Sequence, residues 1–256
     1  MLSESSLLRM IIKESNKETY AEQFVISFIR GQIDKPVFVG TGFLFSPCGL
    51  FITAKHVLYE HEKYDEDLFA ITLNKEGIPI QSKIVWGWKH NTADIAFGII
   101  QSPDYPPNEF GELYDIITPQ LNFDETIING NIFAYSFRNS IFNSVDSMNY
   151  EMQYIPTLYT GIVQGFHPEG IRLIKNPSYD CLMNSQPGCS GGPVFYQNSK
   201  IIGIISACLP GDETVMGNMT ATDIRLALSL IFPSPFKQNR GELISCYTLR
   251  DMGILR

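Results

Sequence analysis

The hydrophobic positions of this 256-residue chain fall mostly in short runs of β-branched and aromatic residues, separated by Gly, Pro and Asn. The runs are EQFVISFIRG, FVGTGFLFSP, GLFITAKHV, DLFAITLN, GIPIQSKIVWGW, DIAFGII, GNIFAYSF, YTGIVQGF, GIRLIKN and KIIGIISACL. Short runs rich in Ile, Val, Phe and Tyr, with turn residues between them, are typical of antiparallel strands. The pattern therefore predicts an all-β sandwich or barrel fold.

Helical periodicity is confined to the two ends of the chain. Residues 3–15 (SESSLLRMIIKES) place four apolar side chains on one face, with a serine before them as N-cap. Residues 221–232 (ATDIRLALSLIF) predict a second helix that Thr222 or Asp223 caps. We therefore expect a short N-terminal helix and a C-terminal helix beside the β-structure.

A looser passage, residues 101–120, divides the strand runs into two groups and contains four of the 15 prolines. Such a passage is typical of a linker between compact units. The predicted organisation is an N-terminal extension (1–22), a first β-domain (23–105), a linker (106–120), a second β-domain that includes the C-terminal helix (121–234), and a tail (235–256).

Charge and composition argue against several classes of partner. The net charge is −8, and no cluster of Lys and Arg is long enough to follow a phosphate backbone, so we expect no nucleic-acid partner. No run approaches the roughly 18–20 apolar residues of a membrane span, and the N-terminus lacks a small-residue cleavage site. Five cysteines in no zinc-binding spacing indicate reduced thiols. We therefore expect a cytoplasmic protein with no membrane partner and no metal.

Three segments carry residue types that suit nucleophilic catalysis. Ser190 lies in QPGCSGGPVF, residues 186–195, where the N–H groups of Gly188 and Ser190 can converge on one point, as an oxyanion requires. His56 ends the run FITAKH, and Asp94 opens DIAFGII, where an acid entering an apolar strand needs a partner. A hydroxyl nucleophile needs a base, and the base needs a group that orients it.

Each of these residues also has a purely structural interpretation. Ser190 can be a turn serine, His56 a packed imidazole at a strand end, and Asp94 a strand cap. Cys189 is either a small packing residue or a redox-sensitive thiol beside the site. The remaining histidines are interpreted as surface or loop residues: His61, His90 and His167.

Together the segments resemble the trypsin-like (chymotrypsin-fold) serine peptidases, and most closely the high-temperature-requirement-type and bacterial trypsin-like branch. GTGFLFSPCGLFITAKHVL resembles the hairpin that delivers the histidine, NTADIAFGII the aspartate strand, and QPGCSGGPVF the serine loop, in the family's order. The resemblance covers residues 24–232. It implies two six-stranded antiparallel β-barrels of the chymotrypsin type, the first over 23–105 and the second over 121–234.

The resemblance also implies roles for individual residues. Ser190 is expected to be the nucleophile, His56 the general base and then acid, and Asp94 the residue that orients the imidazole. The N–H groups of Gly188 and Ser190 are expected to form the oxyanion hole. Substrate is expected to contact a further set of residues: Asn184, Ser185, Ser206, Ala207 and Thr220. None of this set is charged, which suggests a polar or apolar side chain of medium size at the cleavage position.

The expected function is hydrolysis of peptide bonds in a protein or peptide substrate through an acyl-enzyme, without a metal or organic cofactor. Cys189 stands where secreted family members carry an aspartate, so activation by N-terminal trimming is not expected. Two alternatives stay open: a proteolytically silent module that binds extended peptides, and an enzyme that a partner activates. The N-terminal extension and the tail are candidate docking segments for a regulatory protein partner.

Overall fold

Two closed β-barrels, with short helices and hairpins around them, make up the computed structural model of the chain. The structure describes residues 11–14, 17–31, 36–60, 63–64, 67–101, 116–123, 126–144, 150–186, 188–196, 200–209, 217–234 and 241–251. Within those residues, no helix is both long enough and apolar enough to cross a membrane.

The first barrel occupies the N-terminal half of the chain. The elements of this half are β1 (Ile11–Glu14), β2 (Lys17–Tyr20), α1 (Ala21–Phe24), β3 (Val25–Arg30), β4 (Val37–Leu44), β5 (Leu50–Thr53), α2 (Lys55–Leu58), β6 (Tyr59–Glu60), β7 (Lys63–Tyr64), β8 (Leu68–Leu73), β9 (Pro79–Lys89) and β10 (Ala96–Gln101). Six of these strands close in the antiparallel order β10–β5–β4–β3–β8–β9.

The second barrel follows from residue 131 onward. The elements of this half are β11 (Asn131–Ser136), β12 (Ile141–Ser144), β13 (Tyr150–Gln153), β14 (Thr157–His167), β15 (Ser178–Met183), β16 (Pro193–Tyr196), β17 (Lys200–Leu209), β18 (Asn218–Asp223), a 3₁₀ helix (Ile224–Ser229), β19 (Ile231–Pro233), β20 (Leu243–Ser245) and α3 (Cys246–Asp251). Its strands close in the antiparallel order β11–β14–β15–β18–β17–β16. The prediction of an all-β fold with two six-stranded antiparallel barrels is therefore confirmed.

Strand β15 shows how alternation builds the second barrel. Tyr179, Cys181 and Met183 are buried in the barrel interior, whereas Asp180 and Leu182 between them are only half-buried. Successive side chains of a strand point to opposite faces, so this pattern buries one face only. The strand is absent from the predicted runs because it contains no β-branched residue, and Cys and Met occupy two of its buried positions.

The predicted N-terminal helix is wrong over the described part of its range. Residues 3–10 and residue 15 lie outside the described residues. Within the predicted range, Ile11–Glu14 is strand β1, which pairs antiparallel with β2. An isolated helix of this length is marginal in water, whereas in the hairpin the facing edges of the two strands pair with each other over four residue pairs. The short helix at this end of the chain is α1 instead, a single turn that leads into the first barrel.

The predicted C-terminal helix begins as expected and is shorter than expected. Asp223 is its N-cap, and the Asp223 carboxylate accepts a hydrogen bond of 3.0 Å from the backbone N–H of Arg225. The helix is of the 3₁₀ type and ends at Ser229, because β19 begins two residues later and pairs with β20. The predicted tail also contains a helix, α3, which the sequence pattern did not indicate.

The run GIRLIKN, residues 170–176, is a tight turn and not a strand. Ile171 and Ile174 exchange two backbone hydrogen bonds of 2.9 and 3.0 Å, which closes a two-residue loop. Arg172 at its tip has a φ of +57°, and Leu173 is exposed. The chain thus reverses direction between β14 and β15 at this point.

The apolar core is continuous between the two barrels. One cluster combines first-barrel residues with Phe195 of β16, and the Phe24 and Phe195 rings meet edge to face at 6.2 Å. A second cluster fills the interior of the second barrel alone. The predicted linker, 106–120, lies largely outside the described residues, so the domain boundaries remain predictions.

Candidate active site

His56 and Asp94 are brought into direct contact between two elements of the first barrel. His56 lies on α2 immediately after β5, and its Nδ1 is 3.0 Å from each carboxylate oxygen of Asp94. The backbone N–H of His56 also donates to Asp94 Oδ1 at 3.2 Å. A carboxylate can only accept, so Nδ1 carries a proton and Nε2 keeps a free lone pair. The His56 side chain is 49% exposed.

The Asp94 carboxylate is held in its ionised form. Burial raises the pKa of Asp94, but hydrogen bonds from His56 and Ser206 together with the charge of His56 lower it, and the resulting pKa lies below the usual range. The backbone N–H of Asp94 donates to Asn176 Oδ1 at 3.2 Å, across from the second barrel. Both the charge and the position of this carboxylate are therefore set by groups around it.

Ser190 lies in a turn that packs against the strand end that carries His56. The flanking Gly191 has a φ of +83°, and a Cβ there would overlap the Thr41 carbonyl oxygen and the Thr53 hydroxyl. The Ser190 carbonyl accepts a hydrogen bond of 2.8 Å from the N–H of Thr41. These contacts place the serine of the second barrel next to β4 and β5 of the first.

Two backbone N–H groups of this turn donate to no backbone carbonyl of the described residues. In the described residues, the N–H groups of Cys189, Gly191 and Gly192 donate to backbone carbonyls, whereas those of Gly188 and Ser190 do not. Gly188 has a φ of +96°, a conformation that favours glycine. The two free donors are the pair predicted for the oxyanion hole. Also in the described part of the chain, no hydrogen bond joins the Ser190 hydroxyl to His56.

The predicted peptide-binding strand is the second half of β17. It pairs with β18 at Ala207↔Thr220, while its other edge pairs with β16 only as far as Ile204. Ser206 is buried, and its Oγ lies 2.7 Å from the Thr222 hydroxyl. In the described residues, no strand pairs with 206–208 on the β16 side.

Ser185 and Asn184 differ in position although they are adjacent. The Ser185 side chain is buried and its hydroxyl donates to the Cys208 sulfur at 3.0 Å, so it reaches the predicted peptide-binding strand. Asn184 is exposed. Thr220 lies on the outer face of the barrel with Asp180, and its hydroxyl accepts from Arg172 Nη1 at 3.0 Å. The contact of Thr220 with substrate remains a prediction.

The Cys189 thiol is fully buried beneath the serine turn. Its sulfur lies 3.3 Å from the Ser136 hydroxyl. Tyr159 is close by, and burial together with the neighbouring Cys189 raises the pKa of its phenol. A buried thiol among hydroxyl groups suits a small packing residue. The alternative of a redox-sensitive thiol stays a prediction.

Two residues near the site were given no functional role from the sequence: Asn176 was not considered, and His90 was interpreted as a surface or loop residue. Asn176 binds the backbone of Asp94 from the loop before β15, and His90 begins the turn that leads to Asp94. Neither residue lies in a recognisable motif, and no local pattern signals a contact that spans 82 positions of the chain, as that of Asn176 does. In the described residues, no group of three or more His, Cys, Asp or Glu side chains is arranged to hold a metal ion.

Comparison with protein families gives one match. Residues 40–204, more than half of the chain, match the family model described as "Trypsin-like peptidase domain". The matched range contains His56, Asp94 and Ser190. Comparison with curated proteins gives no match.

Solved structures with the same fold include two proteases. The MamO protease domain from Magnetospirillum magneticum (apo form) is similar at a TM-score of 0.55 and 16% identity, over 82% of this chain and 96% of that one. The serine endoprotease from Yersinia pestis is similar at a TM-score of 0.52 and 18% identity, over 81% of this chain and 61% of that one. At such identities the likeness shows the fold.

Proposed function

Because the chain belongs to the trypsin-like peptidase domain family, we propose that it is a serine endopeptidase that uses Ser190, His56 and Asp94 as its catalytic residues. The observation that carries the proposal is the pairing of His56 Nδ1 with both Asp94 oxygens at 3.0 Å. This pairing fixes the imidazole tautomer in which Nε2 is a base. Gly191 packs against Thr53 at the end of β5, so the serine turn lies at the strand end that carries His56.

The proposed reaction has two halves. His56 Nε2 takes the proton of the Ser190 hydroxyl as Oγ attacks the carbonyl carbon of the peptide bond. The N–H groups of Gly188 and Ser190 stabilise the oxyanion, and the Asp94 carboxylate stabilises the imidazolium. The imidazolium then gives its proton to the leaving amine, which departs and leaves an acyl ester on Ser190. Water attacks the ester with His56 again as base, which releases the acid and restores the serine.

We propose that substrate binds as an extended strand along 206–208. The open edge of β17 offers backbone groups to such a peptide, because β16 stops pairing at Ile204. Hydrogen bonds to a strand edge recognise backbone and not side chains, and specificity then depends on pockets for alternate side chains. The binding mode therefore suits an unfolded or loop segment of a protein substrate.

The contact between Ser185 and Cys208 bears on the side chain at the cleavage position. Both residues are uncharged, and their 3.0 Å contact bridges the strand and the segment before the serine turn. A side chain that enters beside this contact meets no charge on either Ser185 or Cys208. We therefore propose a preference for small or medium uncharged side chains over Arg, Lys, Asp and Glu.

The silent or partner-activated module is the second candidate function. It is favoured by one observation, the lack of a hydrogen bond between the Ser190 hydroxyl and His56 in the described residues. Catalytic hydrogen bonds are often long in the absence of substrate and tighten when it binds, so the same observation is compatible with an active enzyme.

Labelling with a fluorophosphonate probe separates the two candidates, because the probe reacts with a serine that a base has activated. We expect stoichiometric labelling of the parent protein at Ser190, located by peptide mass mapping. Ser190→Ala and Asp94→Asn are the matched variants. The first should abolish labelling, and the second should slow it by about 10³- to 10⁴-fold, since the imidazole then loses its orienting carboxylate. An unlabelled parent that still binds extended peptides would support the silent module instead.

A further inference from the structure

His90 begins the turn that delivers Asp94 to the site. The turn joins β9 to β10, and the backbone N–H of His90 donates to the Ile95 carbonyl at 2.9 Å. The His90 Nδ1 atom lies 2.9 Å from the N–H of Ala93 and 3.2 Å from that of Thr92. The ring thus binds the two peptide groups that immediately precede the Asp94 residue.

The contacts of His90 define its tautomer. Because Nδ1 accepts from backbone N–H groups, the ring proton is on Nε2, which lies 3.0 Å from the Ser229 hydroxyl. Ser229 in turn donates to the Leu226 carbonyl at 2.9 Å. Partial burial, and then the nearby charge of Lys55, lower the pKa of His90 and favour this neutral form.

We propose that neutral His90 is a positioning residue that holds the Asp94 carboxylate in register with His56. The proposal rests on the proposed peptidase function and extends it to a residue outside the triad. Ala93 is adjacent to Asp94, so a fixed N–H at 93 limits how far the carboxylate can swing. The link from Nε2 to Ser229 ties this turn to the 3₁₀ helix that follows the second barrel.

Two of the contacts can be separated by substitution. In His90→Asn the amide oxygen takes the place of Nδ1 and keeps the acceptor for the backbone, but the side chain is too short to reach Ser229. In His90→Gln the amide reaches toward Ser229 but offers no acceptor at the Nδ1 position. His90→Ala removes both contacts. The set tests whether the Nδ1 acceptor is the feature that positions Asp94.

The first measurement does not depend on activity. Long-range ¹H–¹⁵N NMR spectra of histidine-labelled protein report the tautomer of each of the four histidines. We expect an Nδ1–H tautomer for His56 and an Nε2–H tautomer for His90, assigned with the His56→Ala and His90→Ala variants. The Nδ1–H signature of His56 should persist in His90→Asn and weaken or disappear in His90→Ala and His90→Gln. An unchanged signature in His90→Ala overturns the proposal.

The second measurement is the rate of fluorophosphonate labelling at Ser190. We expect His90→Ala and His90→Gln to slow it by about 10- to 100-fold, since a small displacement of a catalytic group has effects of this size. His90→Asn should stay within about threefold of the parent. Equal slowing in His90→Asn and His90→Ala overturns the proposal, because the ring would then act through its size and not through the Nδ1 acceptor. An unlabelled parent contradicts the peptidase function alone, and the NMR result then decides the role of His90.

Discussion

At the scale of single residues, Gly191 links backbone conformation to the position of the nucleophile. Its φ of +83° is costly for any residue with a Cβ, and its neighbours leave no room for one. We expect Gly191→Ala to lower the free energy of unfolding by more than the roughly 1–3 kcal/mol that a strained φ alone costs. We also expect it to abolish labelling of Ser190, because the turn must move away from β4 and β5.

Gly77 provides the matched control for this substitution. Its φ is +79°, but a Cβ there would meet nothing within 4 Å. Gly77→Ala should therefore show the cost of the φ alone, about 1–2 kcal/mol, and label at the parent rate. Equilibrium unfolding in urea and the labelling rate check both variants. Equal stability losses at the two positions would contradict the role assigned to the close contact at Gly191.

His90 makes a second prediction at this scale, on the dependence of stability on pH. The pKa of His90 is lowered in the folded protein from a usual value of 6.5, so folding favours the neutral ring. This contribution is complete above pH 6.5 and is lost as the pH falls through the folded pKa. Lys55 is the charged group that acts on the ring. Between pH 7.5 and pH 5, the free energy of unfolding in urea should therefore fall more for the parent than for His90→Asn. Identical losses in the two proteins would contradict a lowered pKa of His90 in the folded state.

At the scale of elements, the proposed function assigns two tasks to β17, recognition of the substrate backbone and formation of one wall of the substrate pocket. Cys208 pairs with Met219 across the sheet, and its sulfur accepts from Ser185. We expect Cys208→Gly to remove this bridge and admit larger side chains at the cleavage position. Peptide-library profiling by mass spectrometry should show a shift from small to aromatic or long apolar residues.

Ser185→Ala is the control for the Cys208 substitution. It removes the hydrogen bond but leaves the sulfur in place, so the preference for small side chains should remain. A glycine within a strand costs about 0.5–1 kcal/mol, which the fold should tolerate. A profile that Cys208→Gly leaves unchanged would mean that the pocket lies elsewhere.

The success of sequence-based prediction also differs from element to element. Each of the six strands of the first barrel lies in a predicted run and extends beyond it by at most one residue at either end, because β-branched and aromatic residues are densely spaced in them. Strand β15 has Cys181 and Met183 at buried positions and was missed. The run GIRLIKN has the composition of a strand, but the backbone bonds between Ile171 and Ile174 close it into a turn.

The residues of the candidate site that lie in sequence motifs could be predicted. The residues that reach the site only through the fold could not. Ser190, His56 and Asp94 stand in local patterns, so each could be singled out from the chain alone, and the contact between His56 and Asp94 could be expected. His90 contacts Ser229 across 139 positions, and Asn176 reaches Asp94 across 82. Contacts of this kind depend on how the barrels close and leave no trace in local composition.

At the scale of the whole molecule, the proposed chemistry depends on how the two barrels are held together. His56 and Asp94 belong to the first barrel and Ser190 to the second, so a shift between the barrels separates the base from the nucleophile. The larger apolar cluster crosses this boundary, where Phe24 meets Phe195. The smaller cluster, which includes Ile202, lies inside the second barrel and does not cross it.

This arrangement predicts that two core substitutions of similar cost differ in their effect on the site. Phe24→Ala should lower the free energy of unfolding by about 3–5 kcal/mol and Ile202→Ala by about 2–5 kcal/mol. At a temperature where circular dichroism shows both variants folded, Phe24→Ala should slow labelling of Ser190, because it loosens the boundary. Ile202→Ala should label near the parent rate. If labelling followed stability in both variants alike, the boundary between the barrels would have no separate role, and the geometry of the site would depend on the fold as a single unit.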